Sequence, residues 1–256
     1  MNNSSLSYLT NSLNALARRA ALLLLVLLGA SAGAAAQRLQ EAGVAASFSM
    51  GQTLARQTRL DVAQFQLQTD IDGSRLDDTG NRFSAYARVG LGVGRLFVQP
   101  EVAYSSVLGQ AYGIAYYSQP TAPWPNLVIF TPRLQRFEVA ALAGLRLGRR
   151  GYLLAGPVLA YNLRETYGPE TGGEVYVPLV QSLYRSVRPV QLLAQAGIGM
   201  KIWRFDLNAR YEHSLTPYTQ RFTYAGQTYD YHQATSQVIL NLGFLLFDAH
   251  RPWRAD

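Results

Sequence analysis

Residues 203–212 read WRFDLNARYE. Trp203, Phe205, Leu207, Ala209 and Tyr211 alternate without a break with Arg204, Asp206, Asn208, Arg210 and Glu212. Successive side chains of a strand leave on opposite faces, so a strict period of two predicts a β-strand. One face of this strand is wholly apolar and the other is polar throughout. It must therefore divide two unlike environments.

The same pattern recurs in both directions. Leu134 to Leu147 places Phe137, Val139, Ala141, Ala143, Leu145 and Leu147 against Arg136, Glu138, Gly144 and Arg146. Ser84 to Gly94, Arg95 to Ser106, Val190 to Lys201 and Gln237 to Leu246 alternate likewise, and Tyr152 to Leu163 and Gly43 to Gly51 complete a set of eight. Connectors at Gly94-Arg95, Gly148 to Gly151 and Lys201-Ile202 are short, as in hairpins. Those over 52–82, 107–133, 164–186 and 214–233 are long and rich in Pro, Gly, Tyr and Asn.

Short and long connectors strictly alternate, which predicts an all-β fold: an eight-stranded antiparallel up-and-down transmembrane β-barrel over residues 37–247. A soluble sandwich or a lipocalin-like barrel shares the alternation, but neither has a reason to gather every long loop at one end. An even strand count puts both termini on the short-turn side, the periplasm of a Gram-negative cell, with the long loops extracellular.

Composition agrees with a membrane solvent. Charged residues make up 15% of the 256-residue chain, against about 25% for a soluble domain. No interior run approaches the roughly 18 apolar residues of a spanning helix. The absence of cysteine removes disulfide scaffolds and thiolate metal sites. Residues 1–36 combine an acid-free start, Arg18-Arg19, the apolar run Ala20 to Leu28 and Ala34-Ala35-Ala36 before Gln37, the three-part pattern of a secretory signal peptide. Its removal would take the net charge from +7 to +5. Mild basicity in an exported chain suits outer-membrane lipid and lipopolysaccharide as partners, not nucleic acid. Residues 248–256 read as a short periplasmic tail.

In a bilayer the apolar face meets lipid and the polar face turns inward. The expected lumenal core is Arg88, Glu101, Arg136, Glu138, Arg146, Arg204, Asp206, Arg210 and Glu212, joined by Gln99, Gln191, Gln195, Asn208 and Asn241. Eight strands enclose room for side chains only, so a plugged, monomeric barrel is expected. If Gly94-Arg95 is a two-residue turn, Arg88 lies opposite Glu101 and the two form an ion pair. Gly43, Gly90, Gly92, Gly144, Gly156, Gly197, Gly199 and Gly243 share the lumenal parity, where small residues would make room for the long arginines or relieve curvature.

Three segments carry a resemblance: NRFSAYARVGLGVGRLFVQPEVAYSS (81–106), RFEVAALAGLRLGRRGYLLAGPVLAYNL (136–163) and VQLLAQAGIGMKIWRFDLNARYEHSL (190–215). They resemble the PorT-like outer-membrane β-barrel domain family of Gram-negative bacteria, in which a "PEllYs", an "aGp.lgy" and an "ldlrY" segment recur at these places. The resemblance spans most of residues 40–247. It implies the barrel fold and, since founding members are implicated in protein secretion across the outer membrane, a secretion-machinery or extracellular protein partner. Strand 1 departs from the family's usual opening.

Chemistry is sparse. His213 and Ser214 are adjacent on a strand and so point to opposite faces, and Leu215 breaks the H-x-S spacing of lipid A deacylase barrels. His232 and His250 have no carboxylates at metal-ligand spacing. Gly90-x-Gly92-x-Gly94 precedes no helix and is no phosphate loop. No catalytic residue, cofactor or metal is therefore expected. The loop aromatics Tyr116, Tyr117, Trp124, Tyr176, Tyr224 and Tyr229 fit an interfacial girdle on extended hairpins, or else an adhesive rim. Tyr104, Tyr161 and Tyr211 belong to the girdle by parity. The expected role is structural or interactive, through the loops; a small-solute pore, a secretion component and a lipid-modifying enzyme are the alternatives.

Overall fold

A computed structural model describes residues 37–55, 59–69, 78–91, 94–108, 112–116, 126–130, 133–163 and 176–249. The segment read as a signal peptide, Gly92, Tyr117, Trp124 and the tail from residue 250 on lie outside them. Eight staves close a barrel: β1 (Gln37–Ala55), β4 (Asp78–Leu91), β5 (Leu96–Leu108), β8 (Arg133–Leu147), β9 (Gly151–Leu163), β10 (Val190–Ile202), β11 (Phe205–Ser214) and β14 (Gln233–Asp248). Each pairs antiparallel with its sequence neighbour among the staves, and β1 pairs with β14 to complete the ring. Beyond the staves, β2 (Arg59–Val62), β3 (Phe65–Thr69), β6 (Tyr112–Tyr116) and β7 (Asn126–Phe130) form a second sheet. A hairpin of β12 (Phe222–Tyr224) and β13 (Gln227–Tyr229) and a helix α1 (Val177–Arg185) complete the long-loop end.

The barrel is apolar outside and charged inside. Phe83, Phe137, Ile198, Trp203, Leu242 and Leu246 stand exposed, whereas Arg82, Glu101, Asp206 and Arg210 are at most 3% exposed. A soluble barrel would reverse these faces. The ten residues of β11, at about 3.3 Å each and tilted by about 40°, climb about 25 Å, the height of a lipid-facing apolar band. Aromatics mark its edges. Trp203, Phe205 and Phe244 meet near the short turns, with ring centroids 6.2 and 5.8 Å apart, and Tyr104 packs on Phe137 at 5.3 Å near the other end. Tyr104, Tyr161 and Tyr211 do lie on the outward face, as their parity indicates.

Several boundaries differ from the sequence reading. β1 runs from Gln37 to Ala55, far beyond Gly43 to Gly51, with register shifts at Leu39/Glu41 and Ala42/Gly43 that blur its alternation. The third turn is Trp203-Arg204, not Lys201-Ile202, and Trp203 adopts a left-handed φ of 55°. The first turn is longer than two residues: β4 ends at Leu91 and β5 starts at Leu96, with Tyr86 opposite Glu101 and Gly90 opposite Phe97. That register moves Arg88 beside Gln99, so the expected Arg88–Glu101 ion pair does not form. Asp248 belongs to β14 and is buried, so the final stave reaches one residue into the expected tail.

The strand glycines admit aromatic rings more than arginines. A Cβ on Gly199 would lie 2.2 Å from the Tyr152 ring, and one on Gly144 would lie 2.1 Å from Phe97. These rings point inward, because Phe97 and Tyr152 share the lumenal parity, and they meet edge to face at 6.1 Å. At Gly197 the new methyl group would crowd an arginine, Arg210.

Two outcomes follow. The folded chain migrates faster than the boiled chain in detergent gels; identical mobility would exclude a closed barrel. Gly199→Ala lowers stability to urea by about 1–3 kcal/mol through overpacking, and an unchanged midpoint would show that Tyr152 does not occupy that space.

Candidate functional site: charged lumen and packed cap

Alternation sends every second side chain of each stave into a space with little access to water, and ionised groups there are costly unless paired and hydrogen-bonded. The barrel meets this by matching them. Six carboxylates (Glu41, Glu101, Glu138, Asp206, Glu212, Asp248) and six cations (Arg82, Arg88, Arg136, Arg146, Lys201, Arg210) form two sets of ion pairs, three acids with three cations in each, which Gln99 links by hydrogen bonds with Arg88 and Glu101.

The contacts form tiers. Towards the long loops, Arg136 bonds Glu138 at 2.7 Å and also Glu212, while Gln195 and Gln237 donate to Glu212 at 2.6 and 2.7 Å. In the middle, Glu101 lies 2.7 Å from Arg82 and 3.0 Å from Arg210, and Gln99 donates to it at 2.8 Å. Arg82 also reaches Glu138 at 2.8 Å, which joins the two tiers. Near the short turns, Arg88 bridges Glu41 and Asp206, with its guanidinium carbon 4.2 Å from the Tyr152 ring centre. Tyr86 donates to Asp206 at 2.9 Å, and Tyr152 donates to it as well. At the mouth, Lys201 contacts Glu41 at 2.8 Å and Asp248 at 3.2 Å, and Arg146 reaches Glu41 at 3.1 Å.

All nine expected core residues face the lumen. Eight are buried, Arg146 is half-buried at the mouth, and Arg204 bonds the Leu245 carbonyl at 3.3 Å. Sequence reading missed Arg82, Glu41, Lys201 and Asp248, each just beyond or at the edge of a strand as drawn. Extending the parity of Arg88 back to Arg82, or of Gly43 back to Glu41, would have found two of them. It also missed a lumenal apolar layer of Phe97, Leu142, Leu154, Val158 and Leu193.

The long-loop end carries a second core. Val62, Phe65 and Leu67 from β2–β3, Ile114 from β6, Leu179, Val180 and Leu183 from α1, Phe222 from β12 and Tyr231 pack together. Pro178 suits the first turn of α1, and Leu179, Val180 and Leu183 fall on one side of it. Tyr116, Tyr176, Tyr224 and Tyr229 lean on this core. Phe65 lies 5.9 Å from both Tyr116 and Tyr224, and Tyr116 lies 6.1 Å from Tyr176. These four tyrosines are half-buried against the cap core and help to solidify it. The cap exposes Leu127 and Ile129 of β7.

One polar pair stands on the lipid-facing surface near the long-loop end. His213 Nδ1 lies 2.7 Å from Ser236 Oγ, directly across the β11–β14 ladder, and its ring stacks on Tyr211. Ser214 points inward, as its adjacency to His213 requires. Among the described residues no carboxylate bonds the His213 ring, and no group of three or more His, Asp or Glu could hold a metal.

No family model matches the chain, and no curated protein matches it. Solved structures do. The chain is similar to Ail, the attachment invasion locus protein of Yersinia pestis, solved with the heparin analogue sucrose octasulfate, at 12% identity and a TM-score of 0.37 over 81% of this chain and 100% of that one. It is similar to the outer-membrane protein AlkL at 9% identity and a TM-score of 0.34, over 85% and 95% of the two chains. The translocator domain of the autotransporter NalP from Neisseria meningitidis aligns at 10% identity and 0.28, over 90% and 97%.

Glu101→Gln leaves Arg82 and Arg210 short of a counter-charge and destabilises the barrel by about 3–5 kcal/mol, read as a lower urea midpoint. Combining Arg88→Glu with Glu101→Arg gives no mutual rescue, since the two form no ion pair and meet only through Gln99; recovery of the wild-type urea midpoint would contradict the register.

Proposed function

We propose that this chain is an integral outer-membrane β-barrel of a Gram-negative bacterium with a closed lumen, and that it serves as an interaction protein through its cap. The observation that supports this most is the matched set of ion pairs crossing the lumen. Closed by those contacts, the barrel offers no solute path, and the apolar core of the cap gives the outer end a defined surface. Short turns and both ends of the barrel domain face the periplasm in this reading, and the cap faces outward. No catalysis is assigned to the protein. The PorT-like motifs favour a partner of the secretion machinery, reached through exposed positions such as Leu127 and Ile129.

In planar bilayers the purified protein gives no conductance steps, and steady channels would overturn the closed lumen. A photo-crosslinking side chain at Leu127 yields a partner adduct in cells and one at Leu240, on the lipid face, does not. Equal adducts or none at Leu127 would remove the interaction role.

The His213–Ser236 hydrogen bond favours a second reading, ester hydrolysis in the outer leaflet, with Ser236 as nucleophile and His213 as base. The missing carboxylate weighs against it. Release of fatty acid from outer-leaflet lipid by the wild type and its loss in Ser236→Ala would select this reading; equal release from both, or none, rejects it.

A further inference from the structure

The short-turn rim carries a charge pattern that the lumen does not use. Arg95, Arg149 and Arg150 sit on the first two hairpin turns, all exposed, and none enters an ion pair among the described residues. Their turns are contiguous. The Arg95 carbonyl accepts from the Arg146 N–H at 2.8 Å, and the Arg150 carbonyl accepts from the Lys201 N–H at 2.8 Å, so one arc runs from β5 across β8 and β9 to β10. The described acids at this end, Glu41, Asp206 and Asp248, are buried and already matched inside.

The cap end is different. Its Arg221 faces Asp230 at 3.7 Å, and Arg59 and Asp61 both bond Gln66. By sequence the four long connectors set seven arginines, beside the lumenal Arg82, against nine acids, whereas the short turns carry Arg95, Arg149 and Arg150 and no acid, so the excess positive charge gathers on the short-turn rim. Its depth also matters. Arg95 precedes exposed Leu96, and Arg149 lies two residues past exposed Leu147. The guanidiniums thus stand just beyond the apolar belt, at the level of lipid headgroups. An arginine presents a planar fork that suits phosphate oxygens, and cations this close to an anionic leaflet are drawn to it.

We propose that the Arg95–Arg149–Arg150 arc binds the phosphates of anionic phospholipids in the periplasmic leaflet. The leaflet assignment rests on the orientation proposed above; the phosphate preference does not.

The full chain, refolded into phosphatidylcholine vesicles, is probed with spin-labelled phosphatidylglycerol and spin-labelled phosphatidylcholine. The wild type retains the anionic lipid roughly tenfold over the neutral one at low salt, and 1 M salt removes the preference because screening shortens to about 3 Å. Arg95→Gln/Arg149→Gln/Arg150→Gln falls to parity, whereas Arg59→Gln/Arg221→Gln behaves as wild type; gel mobility checks that both fold. An unselective wild type, or a triple variant that keeps the preference, overturns the proposal. So does a preference, measured in competition, for lipid A over phosphatidylglycerol, which would move the arc to the other leaflet. Trypsin cleavage of intact cells after Arg149 or Arg150 would overturn the orientation while leaving the vesicle result intact.

Discussion

Charge neutrality inside a closed ring of strands is the constraint on which the rest of the structure depends. A bilayer offers no water to an ionised side chain, so each inward charge must find its opposite from another stave. Glu101 on β5 meets Arg82 on β4 and Arg210 on β11, and Glu41 on β1 meets Arg88 on β4 and Lys201 on β10. The Glu101–Arg210 and Glu41–Lys201 contacts cross the lumen and bind strands that share no ladder, while Arg82 and Arg88 each tie an acid on a neighbouring stave. Register and side-chain pairing therefore specify each other: a slip by one residue would turn Arg210 and Glu212 into lipid.

The barrel was legible because its staves obey period two where the two faces differ most. β11 has one exception along its ten residues, the outward His213, and β10 and β14 have few. The alternation weakens where the inward residue is itself apolar. Phe97, Tyr152 and Leu154 face the lumen, and β9 consequently reads as a mostly hydrophobic run. Register was less legible than existence. The Arg88 partner depended on a turn length that Gly94-Arg95 alone does not fix, and Glu41 lay just outside the strand read as Gly43 to Gly51. Pairings across the lumen join residues more than a hundred positions apart, such as Arg210 and Glu101, and no local pattern encodes them.

The cap was hardly visible. Its strands are three to five residues long and its helix nine, too short for periodicity to stand out from a tyrosine-rich loop. Pro178 with Leu179, Val180 and Leu183 was the available helix signal. What the sequence does display, tyrosines at Tyr116, Tyr176, Tyr224 and Tyr229, suits several environments, because the ring is apolar and the hydroxyl is not. The decision came from packing: four separate long connectors contribute to one core.

The seam between β1 and β14 joins the two ends of the domain along 15 residue pairs, and Asp248 on one side and Glu41 on the other share Lys201. During biogenesis Lys201 gains Asp248, and β1 its second neighbour, only when the last stave has been delivered. A nascent barrel thus holds unmatched ionic groups and two raw sheet edges for most of its assembly, which favours abrupt final closure over gradual insertion and leaves the incomplete chain in need of protection in transit.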